Sequence, residues 1–356
     1  MAYSVFVGAG QWQAAAGDAA TQGFFGYDPE QGEWQPLSHG LPDQVEVRCI
    51  TLHPGQPGTI YAGTQTGPYR SLDGGESWQA LALPDGTSAE DSVVWSLCLD
   101  PTDPATIYVG TQNTSVFRSR DGGATFERLN ISQPEGAVCA SFAMRVIRIS
   151  VAAHDPNHIL VAFEIGGLVG SRDGGATWQS CNSDLLALSE HQHLRSAIVS
   201  DQQIEGMMDS HALTQSPNHP DTVWLANRMG LFRSEDGGGH WAEFGIGRFS
   251  PLTYARDVQV SGHQPERIYA ALSVAAVCDE GSLYRSDDFG QSWRRFDHGV
   301  EIDSTLMAVA EGAASPDRVY CAARHGKVYG TEDGGKSWQS HQLPHGVQGV
   351  YAIACV

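Results

Sequence analysis

Residues 69–78 read Tyr69-Arg-Ser-Leu-Asp-Gly-Gly-Glu-Ser-Trp78, and the frame returns at Phe117–Phe126, Val169–Trp178, Phe232–Trp241, Tyr284–Trp293 and Tyr329–Trp338. Its constant part is an apolar or aromatic residue, then Ser or Thr, Asp, Gly and a closing aromatic at fixed spacing. A worn copy, Gly26–Trp34, stands near the N-terminus. The Asp of each copy falls at 28, 73, 121, 173, 236, 288 and 333. The resulting intervals of 45, 48, 52, 63, 52 and 45 residues match one four-stranded propeller blade per repeat.

Upstream of each full copy lies a second apolar run, such as Thr59–Gly63 or Thr106–Gly110, with a proline two or three residues before it (Pro57, Pro104, Pro156, Pro220, Pro265, Pro316). A further apolar run, such as Val47–Leu52 or Val94–Leu99, precedes the proline. β-Branched and aromatic residues fill the runs, and Gly, Pro and Asp fill the turns. Each unit therefore reads strand A, proline turn, strand B, loop, strand C ending in the Asp turn, and strand D. Helical periodicity is confined to Leu185–Ile198. Val347–Val356 reads as a strand A without a sequel and Tyr3–Val7 as a strand B without a forerunner, so the termini are expected to share one blade. The expectation is an all-β fold: one domain, 1–356, forming a seven-bladed propeller of four-stranded antiparallel blades closed by both termini.

Within the turn, Asp accepts nearby backbone N–H groups, Gly permits positive φ, and the hydroxyl holds the other side. On these residues the chain resembles the Asp-box, or BNR-repeat, propellers. That group includes sialidases, two-propeller xyloglucanases, sortilin-like receptors and a propeller-type photosystem II assembly factor. The resemblance implies a structural role for Asp73, Asp121, Asp173, Asp236, Asp288 and Asp333, with Asp28 degenerate, at C–D turns remote from any active site. A sialidase-type Arg-Ile-Pro is missing near the N-terminus, so glycoside hydrolysis is implied by fold analogy alone.

The net charge of −20 opposes binding to nucleic acid or an anionic membrane. Seven cysteines, an odd number without metal-type spacing, argue against a disulfide framework. With no signal-peptide pattern at the start, a cytoplasmic location is expected.

Insertions mark the candidate functional face. The gap from the closing aromatic to the next strand A is usually 13–17 residues, but about 21 between Phe126 and Ile147 and 33 between Trp178 and His211. Gly10–Gln22 and Ser273–Gly281 are long B–C loops. All four insertions belong to the face opposite the Asp turns. Aligning the strands A on their prolines places Arg48, Trp95, Ile147, His211, Arg256, Met307 and Tyr351 around the channel mouth. Arg145 and Arg148 flank the third position, and Glu164, Arg228, Arg324 and His325 end strands B on that face. The arginines suggest a carboxylate-bearing or other anionic ligand, or else pair with neighbouring acids. His211 and Glu164 are the candidate general base and acid, and Arg48, Trp95, Arg145, Arg148, Arg228, Arg256, Arg324 and His325 the candidate ligand-binding set.

The expected function is a hydrolase or lyase acting on a small polar, anionic or sugar-like molecule. The alternative is a non-catalytic propeller gripping a peptide or protein on the same face. No cofactor is expected; a lesser alternative is a metal site of His191, His193 and His211. Cys278 beside Asp279 is a remote candidate nucleophile. Arg70, Arg118, Arg233 and Arg285 recur beside the turn serine and read as blade-to-blade structural groups.

Overall fold

The computed structural model describes residues 3–11, 22–140, 142–344 and 346–356. It contains seven four-stranded antiparallel sheets, each built as A-B-C-D from the inside out. Strands A are Val47–Leu52, Val94–Leu99, Val146–Ala152, Ser210–Gln215, Tyr254–Val260, Leu306–Glu311 and Val350–Cys355, defining blades 1 to 7. The seventh blade pairs the C-terminal strand Val350–Cys355 with Val5–Ala9, followed by Gly23–Asp28 and Glu33–Pro36. Each strand A lies against strand A of the next blade, and the last lies against both Leu306–Glu311 and Val47–Leu52. The ring is thus closed by the two ends of the chain, as the orphan strands predict. Residues 12–21 of the expected loop in this blade lie outside the described residues.

Strands B Ile60–Thr64 and Ile107–Thr111 are buried at every residue because both sheet faces meet a neighbouring blade. The closing aromatics fill the seams between blades. Trp78 meets Phe24 of blade 7 edge-on at 4.7 Å, and Trp293 packs on Trp224 and Phe244 of blade 4. Burying one such ring contributes roughly 1.5–3 kcal/mol.

The six full Asp turns share one network. In blade 1, Ser71 Oγ donates to Asp73 Oδ1 (2.7 Å) and accepts the Gly75 N–H (2.8 Å), while Asp73 Oδ1 accepts the Ser77 N–H (2.9 Å). Blade 2 repeats it with Ser119, Asp121, Gly123 and Thr125, and blade 6 with Thr331, Asp333, Gly335 and Ser337. The second glycine has φ near +90° throughout (Gly75 +94°, Gly123 +90°, Gly335 +91°), a conformation costly for a residue with a Cβ. In blade 7 Asp28 caps only the Glu30 and Gln31 N–H groups, since no hydroxyl precedes it. In blades 1 to 6, backbone bonds such as Gly74 N–H to Gly58 O and Gly122 N–H to Ala105 O tie the C–D turn to the A–B connection of the same blade, so both lie on one face.

Two expectations need correction. The segment Leu185–Ile198 is not one helix: a helix covers Ser183–Leu188 and a 3-10 turn Gln192–Leu194, because His191 is extended (φ −70°, ψ 130°) and breaks the run. Of the repeated arginines, Arg70 and Arg118 do reach the next blade, at Gly122 O (2.9 Å) and Gly174 O. Arg233 and Arg285 instead pair with Glu235 and Asp287 in their own turns.

Candidate functional site

A β-bulge interrupts the A–B ladder of every blade, and the extra residue is Arg48, Trp95, Ile147, His211, Arg256, Met307 or Tyr351. An extra residue in one strand re-aims its side chain and bends the strand. All seven line the central channel, a cavity of about 880 Å³. The ring read from the proline spacing is therefore the ring of bulges.

Blades 3 and 4 carry the charged centre. In blade 3, Arg145 stands two residues before the bulge and bonds Glu164, just past strand B, at 2.8 Å, while their backbones join through the Glu164 N–H and Arg145 O. Blade 4 holds the same register with the charges exchanged: Asp209 Oδ2 accepts Arg228 Nε at 3.0 Å, and the Arg228 N–H reaches Asp209 O. His211 is anchored by Nδ1 on Ala255 O (2.8 Å), which assigns the proton to Nδ1. Its Nε2 lies 3.4 Å from both Asp209 Oδ2 and Tyr254 Oη.

The two carboxylates are driven apart. Burial pushes Glu164 above the ordinary carboxyl value, aided by the charge of Asp209 and outweighing Arg145 and Arg256. Burial would also raise Asp209, but Arg228, Arg256 and, once protonated at low pH, His211 outweigh it and hold it at about 2. Burial lowers His211 more than Asp209 raises it, so the imidazole is neutral near pH 7. Tyr254 hydrogen-bonds Arg256, and burial keeps its phenol protonated.

The mouth arginines are matched by acids. Arg48 pairs with Glu46 (2.6 Å), and Arg148 reaches past blade 4 to Asp257 (3.4 Å). Asp257 also caps the Val258 and Val309 N–H groups. Arg256 faces Tyr254, Asp209 and Glu164. Trp95 is engaged by Arg48 and Arg145 at 4.4 and 4.3 Å from its ring centre and by Tyr351 edge-on at 5.8 Å.

The structure does not bring every candidate into the channel. Arg324 is buried near Cys278 and Tyr351 but does not line the cavity, and His325 is exposed beside it. His191 and His193 stay apart from His211. His193 pairs with Glu243 (3.0 Å) at a separate cleft of about 370 Å³ beneath the long insertion. Among the described residues, no three His, Cys, Asp or Glu side chains converge as a metal site would require. Cys278 Sγ is partnered by Thr305 Oγ1 and the Ala275 and Glu280 carbonyls.

Sequence reasoning missed Tyr254, Asp257 and Glu46 as members of the site, although all three could be found by counting one or two residues from the bulge. It also missed Glu205. That carboxylate accepts the Ile198, Val199 and Ser200 N–H groups and the Ser200 hydroxyl, folding residues 196–205 into a loop that lines the channel.

No family model matches the chain. The chain is 25% identical, over 74% of its length, to a probable oligoxyloglucan-reducing end-specific xyloglucanase of Neosartorya fischeri. It is 22% identical, over 83%, to a xyloglucanase of Acetivibrio thermocellus. It spans only 31% and 38% of those two proteins. Among solved structures, a GH74 xyloglucanase of Xanthomonas campestris superposes with a TM-score of 0.64 at 21% identity, covering 83% of this chain and 45% of that one. YCF48 from Cyanidioschyzon merolae gives 0.59 at 15%, covering 87% and 88%. YCF48 bound to a D1 peptide gives 0.55 at 15%, covering 85% and 82%. At these identities the structural matches carry the propeller fold and no more.

Proposed function

We propose that the channel mouth is the active site of a hydrolase acting on a small polar, sugar-like molecule, with Glu164 as proton donor and His211 as base. The observation that carries this reading is the convergence of Glu164, Asp209 and His211 with their arginine partners at one channel mouth. Glu164 is biased toward its protonated form, while His211 is neutral with a lone pair on Nε2 beside an ionised Asp209. Asp209, held near 2, is itself a weak base. Its part is to stabilise the imidazolium that forms when His211 takes a proton from water. Because each mouth arginine faces an acid or a phenol, an uncharged polyol suits the site better than a strongly anionic ligand.

The xyloglucanase names of the curated relatives favour a glycosidic bond as the one cleaved. All seven cysteines are free thiols, which supports a reducing, cytoplasmic setting. No helix among the described residues is long and apolar enough to cross a membrane.

The test is turnover of a panel of nitrophenyl glycosides and xyloglucan oligosaccharides. E164Q and H211N should each lose at least about 100-fold in kcat with unchanged melting temperature. Wild-type protein that turns over none of them would sink the reading. A second reading, peptide capture, is favoured by Ile198 and Val199, which are 41% and 51% exposed where they line the mouth. Retention of a peptide library by the wild-type chain and its loss in an I198S/V199S variant, without any turnover, would establish it.

A further inference from the structure

Trp95 enters the channel from blade 2 at a bulge, where the sequence suggests a ligand contact. Its surroundings point elsewhere. The guanidinium carbons of Arg48 and Arg145 both lie within 4.4 Å of its ring centre, and Arg145 is also 5.0 Å from the Phe142 ring. Each arginine turns one nitrogen to a carboxylate, Arg48 to Glu46 and Arg145 to Glu164. The remaining Arg48 Nε and Nη1, Arg145 Nε and Trp95 Nε1 atoms are buried without a hydrogen-bond acceptor. Unpaired buried donors are costly, and two cations on one ring repel each other. The arrangement holds because the indole π-face attracts desolvated guanidinium groups more strongly than other rings do.

We propose that Trp95 is a positioning residue: it holds the Arg145 guanidinium in the orientation that pairs it with Glu164, coupling blade 2 to the proton donor of blade 3. The inference rests on the reading of Glu164 as proton donor, but its test does not. Backbone pairing alone brings Arg145 and Glu164 side by side, as it does Asp209 and Arg228 in blade 4, where no tryptophan intervenes. What the backbone leaves open is the χ angles of the long arginine side chain. Trp95 and Phe142 restrict those by occupying two sides of it.

Glu164 is faced by Arg145 from its own blade, by Asp209 of blade 4 and by Arg256 of blade 5. Of these, Arg145 lies over the Trp95 ring. A Trp95 substitution therefore acts on Glu164 through Arg145 or through water entering the vacated space, and the two have opposite signs. A loosened Arg145 gives less stabilisation of the carboxylate, so Glu164 titrates higher. Admitted water relieves burial, so it titrates lower.

The experiment is a carboxyl 13C NMR titration of the full chain, with the Glu164 signal assigned by its loss in E164Q. In W95L the midpoint should rise by about one pH unit. An unchanged or lowered midpoint overturns the proposal. Should W95L fail to fold, 5-fluoro-, difluoro- and tetrafluorotryptophan placed at position 95 keep the shape and progressively weaken the ring's attraction for cations. The midpoint should climb along that series, and a flat series overturns the proposal equally. Activity of E164Q is read separately. A shifted midpoint with a fully active E164Q would keep the Trp95–Arg145 clamp and remove the catalytic role of Glu164.

Discussion

The two ends of the blades use repetition in opposite ways. At the Asp turns, six blades carry the same hydroxyl, carboxylate and glycine in the same bonds. At the mouth, seven blades share a backbone device, the bulge in strand A, but present Arg, Trp, Ile, His, Arg, Met and Tyr on it. Identical side chains in every copy answer a need common to every blade, which is to close the turn. Different side chains on an identical backbone give seven separately adjustable positions around one cavity. Blades 3 and 4 show how far this goes, since one register carries Arg145–Glu164 in one blade and Asp209–Arg228 in the next.

The strongest way to break the comparison is to remove the frame on which both ends depend. Deleting residues 348–356 strips strand Val350–Cys355 from the closing blade. That leaves Val5–Ala9 as an open edge and exposes a core in which Val350 and Cys355 are almost wholly buried. Loss of a cooperative melting transition is expected. A truncated chain that melts like the full one would show that the ring does not need its C-terminal strand.

Much of this frame was legible in advance. The Asp spacing carries the blade count, and the prolines carry the phase of each strand A, so the mouth ring follows from the sequence. What spacing does not carry is the reach of long side chains between blades. Arg48 pairs with Glu46 in its own strand region, whereas Arg148 passes blade 4 to reach Asp257. Arg324 occupies the position equivalent to Glu164 and Arg228, yet it lies buried near Cys278 and Tyr351 and off the channel lining. Those differences depend on which neighbour offers a charge at the right distance, and no local periodicity records that.

A smaller effect separates the two ends by pH. Hydrogen bonds from Thr125 and Thr177 hold Asp121 and Asp173 at about 2, and those from His240 and Ser234 outweigh burial to bring Asp236 to about 2, against a starting value of 3.8. Their folded values are depressed, so the stability they add is complete above about pH 4 and fades as the pH falls toward 2. Glu164 has the opposite sign, because its folded value is raised and its protonation favours the folded state as the pH falls toward 4.5. The melting temperature should therefore drop steeply only below about pH 4. In S119A, which removes the buried acceptor of the Gly123 N–H, the chain should lose roughly 1–3 kcal/mol at pH 7. If S119A melted normally, the shared turn network would be decorative.

The smallest expected effect is confined to the mouth. Glu205 is 1% exposed, and burial alone would raise its carboxyl. Three backbone N–H groups and the Ser200 hydroxyl outweigh that and hold it below the usual range. Its negative charge is therefore spent on ordering residues 196–205, and no repeated element of the fold depends on it. E205Q keeps the size but offers one acceptor oxygen to donors that now use two, and it places an amide NH₂ against backbone N–H groups. The segment carrying Ile198 and Val199 should then open more often, seen as faster amide exchange at 198–200 and faster proteolysis between 196 and 205. The melting temperature should barely move. A large fall in melting temperature would mean that this insertion, like the Asp turns, supports the ring, and the division between a structural end and an adjustable end would no longer hold at blade 4.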